Sequence, residues 1–272
     1  MTQPQSNHTR PVPALSQQVI WITGASSGIG AALVEALYGR CAGVIITARN
    51  RALLTKLAQG RSNMLIAPAD ITDLKQMKQA AEAIRQRFGR VDTLIANAGT
   101  CEYLDTRSFE SCLIRRVFDT NVNGLAHTLE VALPLVRNSQ RGYLVGMSSS
   151  ATFLPFGRAE AYGASKAAVS YLMESLRVDL VSEQIDVSII NPGFVQTPLT
   201  DRNNFTMPMR ISAAEAADAI VRELSHRPWE IHFPRRFIWL LKLLGALPAC
   251  LRHRLSCRLA QQGSDSATHS QE

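Results

Sequence analysis

Six short runs of apolar, mostly β-branched residues recur along this chain: QVIWIT (18–23), GVIIT (43–47), NMLIA (63–67), DTLIA (92–96), YLVGM (143–147) and DVSII (186–190). They are near-continuously apolar rather than alternating, which does not suit a sheet with one face in water. Strands of this composition are covered on both faces, as in a parallel sheet flanked by helices. Between them lie stretches such as GAALVEALYGR (30–40) and DLKQMKQAAEAIRQRF (73–88). The second repeats alanines and apolar residues at three- and four-residue spacing, with Gly89 just past its end, where a helix can terminate. This alternation predicts a doubly wound parallel α/β sheet with right-handed crossovers.

A chain of 272 residues can close one core as a single domain. Its 46% hydrophobic and 19% charged content is that of a globular protein, neither disordered nor fibrous. The cysteines (Cys41, Cys101, Cys112, Cys250, Cys257) are odd in number and form no C-x-x-C pair, and the six histidines are dispersed. Neither a disulfide framework nor a metal site is expected, and a reducing, cytoplasmic setting fits best. Residues 1–16 and 263–272 read as flexible tails. The first carries no apolar core of the kind a secretory signal needs. The N-F-T sequon at Asn204 is therefore not expected to carry a glycan.

Two local patterns carry chemistry. The first strand runs into TGASSGIG, in which Gly24, Gly28 and Gly30 lead directly into a helix. Glycines permit the tight turn and let the backbone approach a pyrophosphate, whose charge meets the free N–H groups of the helix start. Farther on, AYGASKAAVS places Tyr162 and Lys166 four residues apart, on one face of a helix. An ammonium favours the ionised form of a neighbouring phenol, so the pair reads as a proton-transfer device in which Lys166 lowers the pKa of Tyr162.

With these motifs, and others in the same order, the chain resembles the short-chain dehydrogenase/reductase family over about residues 18–230. TGASSGIG is similar to the family's glycine motif, T-G-x-x-x-G-x-G, and YGASK to its Y-x-x-x-K. ANAG (96–99) is similar to its N-N-A-G, with Ala96 in place of the first asparagine, and NPGFVQT (191–197) to its P-G motif. The resemblance implies a Rossmann-like fold of about seven strands over residues 17–232 and an NAD(P)-dependent oxidoreductase acting on carbonyl or alcohol groups. It assigns Tyr162 as acid/base, and Lys166 also as a ligand of the nicotinamide ribose. Ser149, thirteen residues ahead of the tyrosine, would hold the substrate oxygen, and Asn121 in NVNG would position a water that links Lys166 to solvent. The implied cofactor contacts are Gly24, Ser26, Ser27, Gly28, Ile29 and Gly30 in the turn, Asp70 and Ile71 at the adenine, and Asn97, Ala98 and Gly99 after the fourth strand. Tyr162, Lys166, Pro192, Gly193, Val195 and Thr197 complete the set.

The end of the second strand reads ITARN, with no carboxylate between Val44 and Leu54 but with Arg49 and Arg51. An acid there would meet a ribose 2′-OH and an arginine a 2′-phosphate, so NADP(H) is expected over NAD(H), with Arg49 as the main contact. By the resemblance, the substrate pocket draws on Cys101, Tyr103, Phe153, Leu154, Phe156, Phe194, Leu199 and Phe205. These are largely apolar, which suits a hydrophobic carbonyl or alcohol. The family resemblance also implies a homodimer or homotetramer formed through the two long helices that flank the active site.

Residues 233–262 form a separate unit. From Ile231 to Ser264 the chain holds Arg235, Arg236, Lys242, Arg252, Arg254 and Arg258 and no acidic residue. Phe237 to Leu251 is too short and too interrupted to span a bilayer. Helical spacing groups Phe237, Trp239, Leu240, Leu241, Leu243, Leu244 and Leu247 into one apolar surface, suited either to packing on the enzyme or to an anionic membrane. No nucleic-acid motif is present. Two other readings of the chain are a nucleotide-binding redox sensor without turnover and a membrane-surface binding protein. The intact Ser149, Tyr162 and Lys166 speak against the sensor, which needs no proton relay.

Overall fold

The computed structural model describes residues 10–201 and 207–257. Asn204 and Phe205 lie outside the described residues, as do the chain's first nine residues and everything after Cys257. The first apolar run is β1 (Val19–Thr23), and the glycine turn leads into α1 (Gly28–Leu37). There follow β2 (Gly43–Thr47), α2 (Arg51–Ala58), β3 (Met64–Ile66), α3 (Leu74–Phe88), β4 (Thr93–Ala96), α4 (Ser111–Phe118) and α5 (Gly124–Arg137). The second half comprises β5 (Tyr143–Met147), α6 (Glu160–Asp179), β6 (Asp186–Pro192), β7 (Val195–Gln196), β8 (Ile211–Ser212), α7 (Ala213–Leu224), β9 (Glu230–Phe233) and α8 (Arg235–Gly245).

Seven strands form one parallel sheet in the order β3-β2-β1-β4-β5-β6-β9, and β7 and β8 form a small ribbon beside it. In register, Trp21 stands between Ile45 and Leu94 at the sheet's centre. Strand order reverses beside β1, which opens a crevice at the carboxyl ends of β1 and β4. Alternate side chains of each strand enter different cores, as the apolar runs require. Trp21, Ile45 and Leu94 pack with Met77 and Ile84 of α3, Leu129 of α5 and Met173 of α6. Ile20, Ile22, Val44 and Val145 pack on the other face with Leu33 of α1 and Ile220 of α7.

The expected helices form with small shifts. α1 begins two residues earlier than its apolar periodicity suggested, because the turn glycines themselves enter the helix. Asp73 caps α3 by accepting from Lys75 N and Gln76 N, and Gly89 ends it in the left-handed region at φ 71°. The seventh strand is one the apolar runs did not announce. In β9 only Ile231 and Phe233 are fully buried, while Glu230 and His232 alternate with them at the sheet edge. Phe233 pairs with Pro192 of β6, so the sheet reaches one residue into the segment expected to be helical extension.

α8 does not carry a single apolar surface. Phe237, Ile238 and Leu241 are buried against Leu154, whereas Trp239, Leu240 and Leu243 are exposed on another side. The reason is composition: this helix is apolar nearly all round, so the body of the domain covers one stripe and leaves another in solvent. Residues 249–257 are again helical, after a break at residues 246–248 around Pro248. No helix among the described residues is long and apolar enough to cross a membrane.

Candidate active site

The crevice is a cleft of ≈ 930 Å³ that runs from the glycine turn to the start of α6. At one end, Gly24 adopts φ +67°, and a Cβ there would lie 2.7 Å from Ala98 Cα. A Cβ on Gly30 would lie 2.2 Å from Gly24 O, so the turn closes only without side chains at these positions. Asn97 holds the turn from the neighbouring strand, donating to Thr23 O (3.0 Å) and Gly24 O (3.2 Å). Ser27 occupies the N-cap of α1 but makes no side-chain capping bond, which leaves the first helical N–H groups to a ligand. Ser26, Ser27, Gly28 and Ile29 line this end with Arg49, Asp70 and Ile71. Arg49 sits in the loop between β2 and α2, exposed, just ahead of Asn50, which caps α2 through Leu53 N. Asp70 Oδ1 accepts from Thr72 N and Thr72 Oγ1, which fixes the loop after β3.

At the other end, Tyr162 and Lys166 occupy the first two turns of α6 and both line the cleft with Ser149. Of the three neighbouring serines, Ser148 also borders the cleft but its hydroxyl is engaged with Lys166 O and Ser170 Oγ, and Ser150 opens a short turn. Ser149 caps that turn through Ala151 N (3.1 Å) and is hydrogen-bonded to the Tyr162 hydroxyl. Lys166, 4% exposed, donates from Nζ to Met147 O at 2.8 Å.

Asn121 does not line the cleft but stands just behind it, buried in a π-helical turn (Asp119–Asn123) that joins α4 to α5. Its Oδ1 accepts from Thr100 N (2.7 Å), and its Nδ2 donates to Thr100 O and Ser165 Oγ (both 2.9 Å). Ser165 in turn donates to Tyr162 O. One amide thus ties the loop after β4 to α6. A Cβ on Gly99 would come within 3.1 Å of Asn121 Oδ1 and 3.2 Å of Lys166 Nζ. Only a glycine leaves the space between those two atoms open.

The electrostatics differ from the simple Tyr–Lys reading. Burial pushes the Tyr162 phenol up to about 12, opposed by the hydrogen bond from Ser149, and pushes the Lys166 ammonium down to about 8. Lys166 Nζ lies 5.8 Å from the centre of the Tyr162 ring and is engaged with a carbonyl, so desolvation outweighs its attraction for a phenolate.

Pro192, Gly193, Val195 and Thr197 line the cleft from the β6 side, where the loop is fastened by Thr200 Oγ1 donating to Val195 O and accepting from Thr197 N. Asn97, Ala98 and Gly99 line it from β4. Of the expected substrate-side residues, Leu199 borders the same cleft. Leu154 is fully buried against α8, with Phe153, Phe156 and Phe194 half-buried around it, so Leu154 packs rather than faces an open pocket. The Tyr103 hydroxyl and Cys101 thiol are hydrogen-bonded to each other, both pushed up by burial, and the Arg158 guanidinium stands 5.5 Å over the Tyr103 ring.

Several lining residues gave no signal in the linear sequence. Thr120, Asn123 and His127 reach the cleft from the π turn and α5, and His127 Nδ1 lies 3.0 Å from Ile71 O. Glu102 and Arg116 form an ion pair at its edge (2.6 Å). His127 stands one helical turn after Asn123, on the same face, but no motif marked that face; the Glu102–Arg116 pair depends on loop and helix meeting in space.

A sequence model described as short chain dehydrogenase matches residues 18–207. An uncharacterized oxidoreductase of Myxococcus xanthus is 34% identical over 239 residues, covering 86% of this chain and 94% of that protein. A short chain dehydrogenase from Burkholderia cenocepacia, solved in complex with NADP, superposes with a TM-score of 0.77 at 25% identity, over 91% of this chain and 99% of that one. A second, from Burkholderia phymatum in complex with NAD, gives the same TM-score at 23% identity, over 85% and 94%. With the family's sequence pattern spanning most of the chain and a close relative in sequence named as an oxidoreductase, the protein belongs to the short-chain dehydrogenases and is an oxidoreductase.

Proposed function

We propose that the protein transfers a hydride between NADP(H) and the carbonyl or alcohol carbon of a hydrophobic small molecule. The observation that carries this reading is one continuous cleft with an uncapped helix start and a side-chain-free turn at one end, and Ser149, Tyr162 and Lys166 at the other. A dinucleotide has the length and charge for such a cleft. Gly24 to Gly30 would take its pyrophosphate, Asp70 and Ile71 its adenine, Lys166 the nicotinamide ribose, and Thr197 the carboxamide. Arg49, with no carboxylate on its loop, favours a 2′-phosphate. Neighbouring structures carry either cofactor, and the preference for NADP(H) rests on Arg49 alone.

When bound, the nicotinamide supplies or accepts the hydride. Ser149 holds the substrate oxygen beside the Tyr162 hydroxyl and polarises the carbonyl. Tyr162 gives that oxygen a proton in reduction and takes it back in oxidation. The Lys166 charge stabilises the phenolate formed as the proton leaves. Asn121 keeps Thr100 and α6 in place, and the space that Gly99 leaves open suits a water joining Asn121 Oδ1 to Lys166. A screen of ketones, aldehydes and alcohols against both cofactors, read by nicotinamide absorbance, tests the reading. Absence of turnover with every pair, or turnover retained in Tyr162→Phe, would overturn it.

Two further parts of the proposal concern assembly. The enzyme forms a homodimer or homotetramer through α5 and α6, the latter exposing Tyr171 and Val178; light scattering reads the mass. The segment 233–262 attaches it to an anionic membrane from the cytoplasmic side, supported by exposed Trp239, Leu240, Leu243 and Leu251 in a stretch without acids. Sedimentation with anionic and neutral vesicles tests the attachment.

A further inference from the structure

The two faces of α8 meet different things. Its inner stripe packs on the two loops that leave the catalytic end of the cleft. Phe237 packs against Phe194 with the rings tilted at 43° and their centres 5.6 Å apart, and a Cβ on Gly193 would come within 2.9 Å of the Phe237 ring. At the far end of the helix, a Cβ on Gly245 would lie 2.2 Å from Phe153 O. Phe153 is the C-cap of the short turn whose N-cap is Ser149. Lys242 is paired with Glu230 and stands 5.1 Å over the Phe153 ring, which pins the middle of the helix to the same loop. Movement of α8 therefore passes to the turn that carries Ser149 by direct contact.

The outer stripe places Arg236 one helical turn before Trp239 and Leu240, with Leu243 one turn farther on. Trp239 is 63% and Leu243 68% exposed. Arg252 and Arg254 follow in the next helical stretch, and residues 231–264 contain no acidic side chain. A second copy of this face would set arginines against arginines in a self-complementary contact, which disfavours it. An anionic bilayer matches both the charge and the apolar ridge.

We infer that α8 is a wall shared between bilayer and substrate site: lipid docked on its outer face orders the loop after Ser149, and the enzyme takes an apolar carbonyl or alcohol compound directly from the bilayer. This rests on the proposed membrane attachment and extends it to the site. Hydrogen exchange of the full chain, with phosphatidylglycerol-containing vesicles, with pure phosphatidylcholine vesicles and without lipid, tests it. Anionic vesicles should slow exchange roughly tenfold both in α8 and in residues 150–157, while neutral vesicles leave both unchanged. In Gly245→Ala, where the new methyl displaces Phe153, vesicle binding should persist while protection of 150–157 is lost. The triple variant Trp239→Gln, Leu240→Gln, Leu243→Gln, altered only at exposed positions, should lose both effects.

Protection of α8 alone would overturn the inference and leave the attachment standing; protection of neither would remove the attachment as well. Protection of α8 that rises with protein concentration in the absence of lipid would make the face a subunit contact and overturn both. Among carbonyl compounds the enzyme reduces, anionic vesicles should lower KM for the most lipophilic and leave the most water-soluble unchanged. Equal effects on the two would sink the route from the bilayer.

Discussion

Lys166 Nζ and the Tyr162 ring stand 5.8 Å apart on successive turns of α6, and the ammonium is turned to Met147 O rather than to the phenol oxygen. Lys166 is buried and Tyr162 partly so, and burial dominates their titration: the phenol rises to about 12 and the ammonium falls to about 8. The charge that steadies a developing phenolate is therefore present at neutral pH and lost in mild alkali, while the phenol keeps its proton throughout. In carbonyl reduction, kcat/KM should be level below about pH 8 and fall above it. A reductive profile level to pH 10 (about two units past that point) would contradict this assignment.

The same shift bears on stability. Lys166 in the folded protein titrates below its ordinary 10.5, so between about 8 and 10.5 the unfolded chain binds more protons and stability rises with pH. Below that window the cost of the buried charge is fully present. Lys166→Met should therefore raise the melting temperature at pH 7, by a stabilisation on the order of 1–3 kcal/mol, while abolishing turnover. A variant that melts lower at pH 7 would show that the bond to Met147 O outweighs the desolvation.

Tyr162→Phe removes only the hydroxyl, leaving Lys166, the glycine turn and the Asn121 bonds in place. Turnover should fall by about 10²–10⁴-fold, the range for a lost general acid, with cofactor affinity nearly unchanged. Steady-state kinetics paired with fluorescence titration of the reduced cofactor measures both.

Arg49→Ala should weaken NADP(H) roughly tenfold or more and NAD(H) little, because a charge-assisted contact to a phosphate contributes about 1.5–3 kcal/mol. Isothermal titration with each cofactor separates the two. Equal losses would place the arginine's role elsewhere than the 2′-phosphate.

Gly30→Ala introduces a methyl 2.2 Å from Gly24 O, against backbone that cannot yield without opening the turn. A loss of about 1–3 kcal/mol in folding stability is expected, together with loss of dinucleotide binding, measurable by thermal melts with and without cofactor. Retained binding would show that the turn has slack that the static geometry does not suggest.

Much of the core was written in local pattern. The six apolar runs specify strands because side chains that avoid water on both faces leave a parallel sheet as their only economical home, and Asp73 and Gly89 bound α3 through bonds made within a few residues. The glycine turn around Gly24 and the Tyr162–Lys166 spacing were readable within single elements, whereas Ser149 was reached only through the family resemblance, because it and Tyr162 stand on different elements. β9 was not, because only Ile231 and Phe233 of its four residues are fully buried and its strand character comes from pairing with β6, which is distant in sequence.

Tertiary structure decided the rest. The sequence offered Tyr162 and Lys166 as a pair tuned by mutual attraction. Burial by the surrounding elements reversed the expected shift of the phenol, because the desolvation they impose together outweighs the attraction of one ammonium that is engaged elsewhere. Asn121 was identifiable by motif, yet its bonds to Thr100 and Ser165 exist only because a π-helical turn swings it between two segments. The apolar residues assigned to one surface in and just after α8 were divided by what lay beside them: the loops after Ser149 and Pro192 bury Phe237 and Leu241, while Trp239, met by His232 and Lys242, and Leu243 stay exposed. Periodicity along a helix fixes which residues share a face, but which face is buried depends on the position of the neighbouring elements.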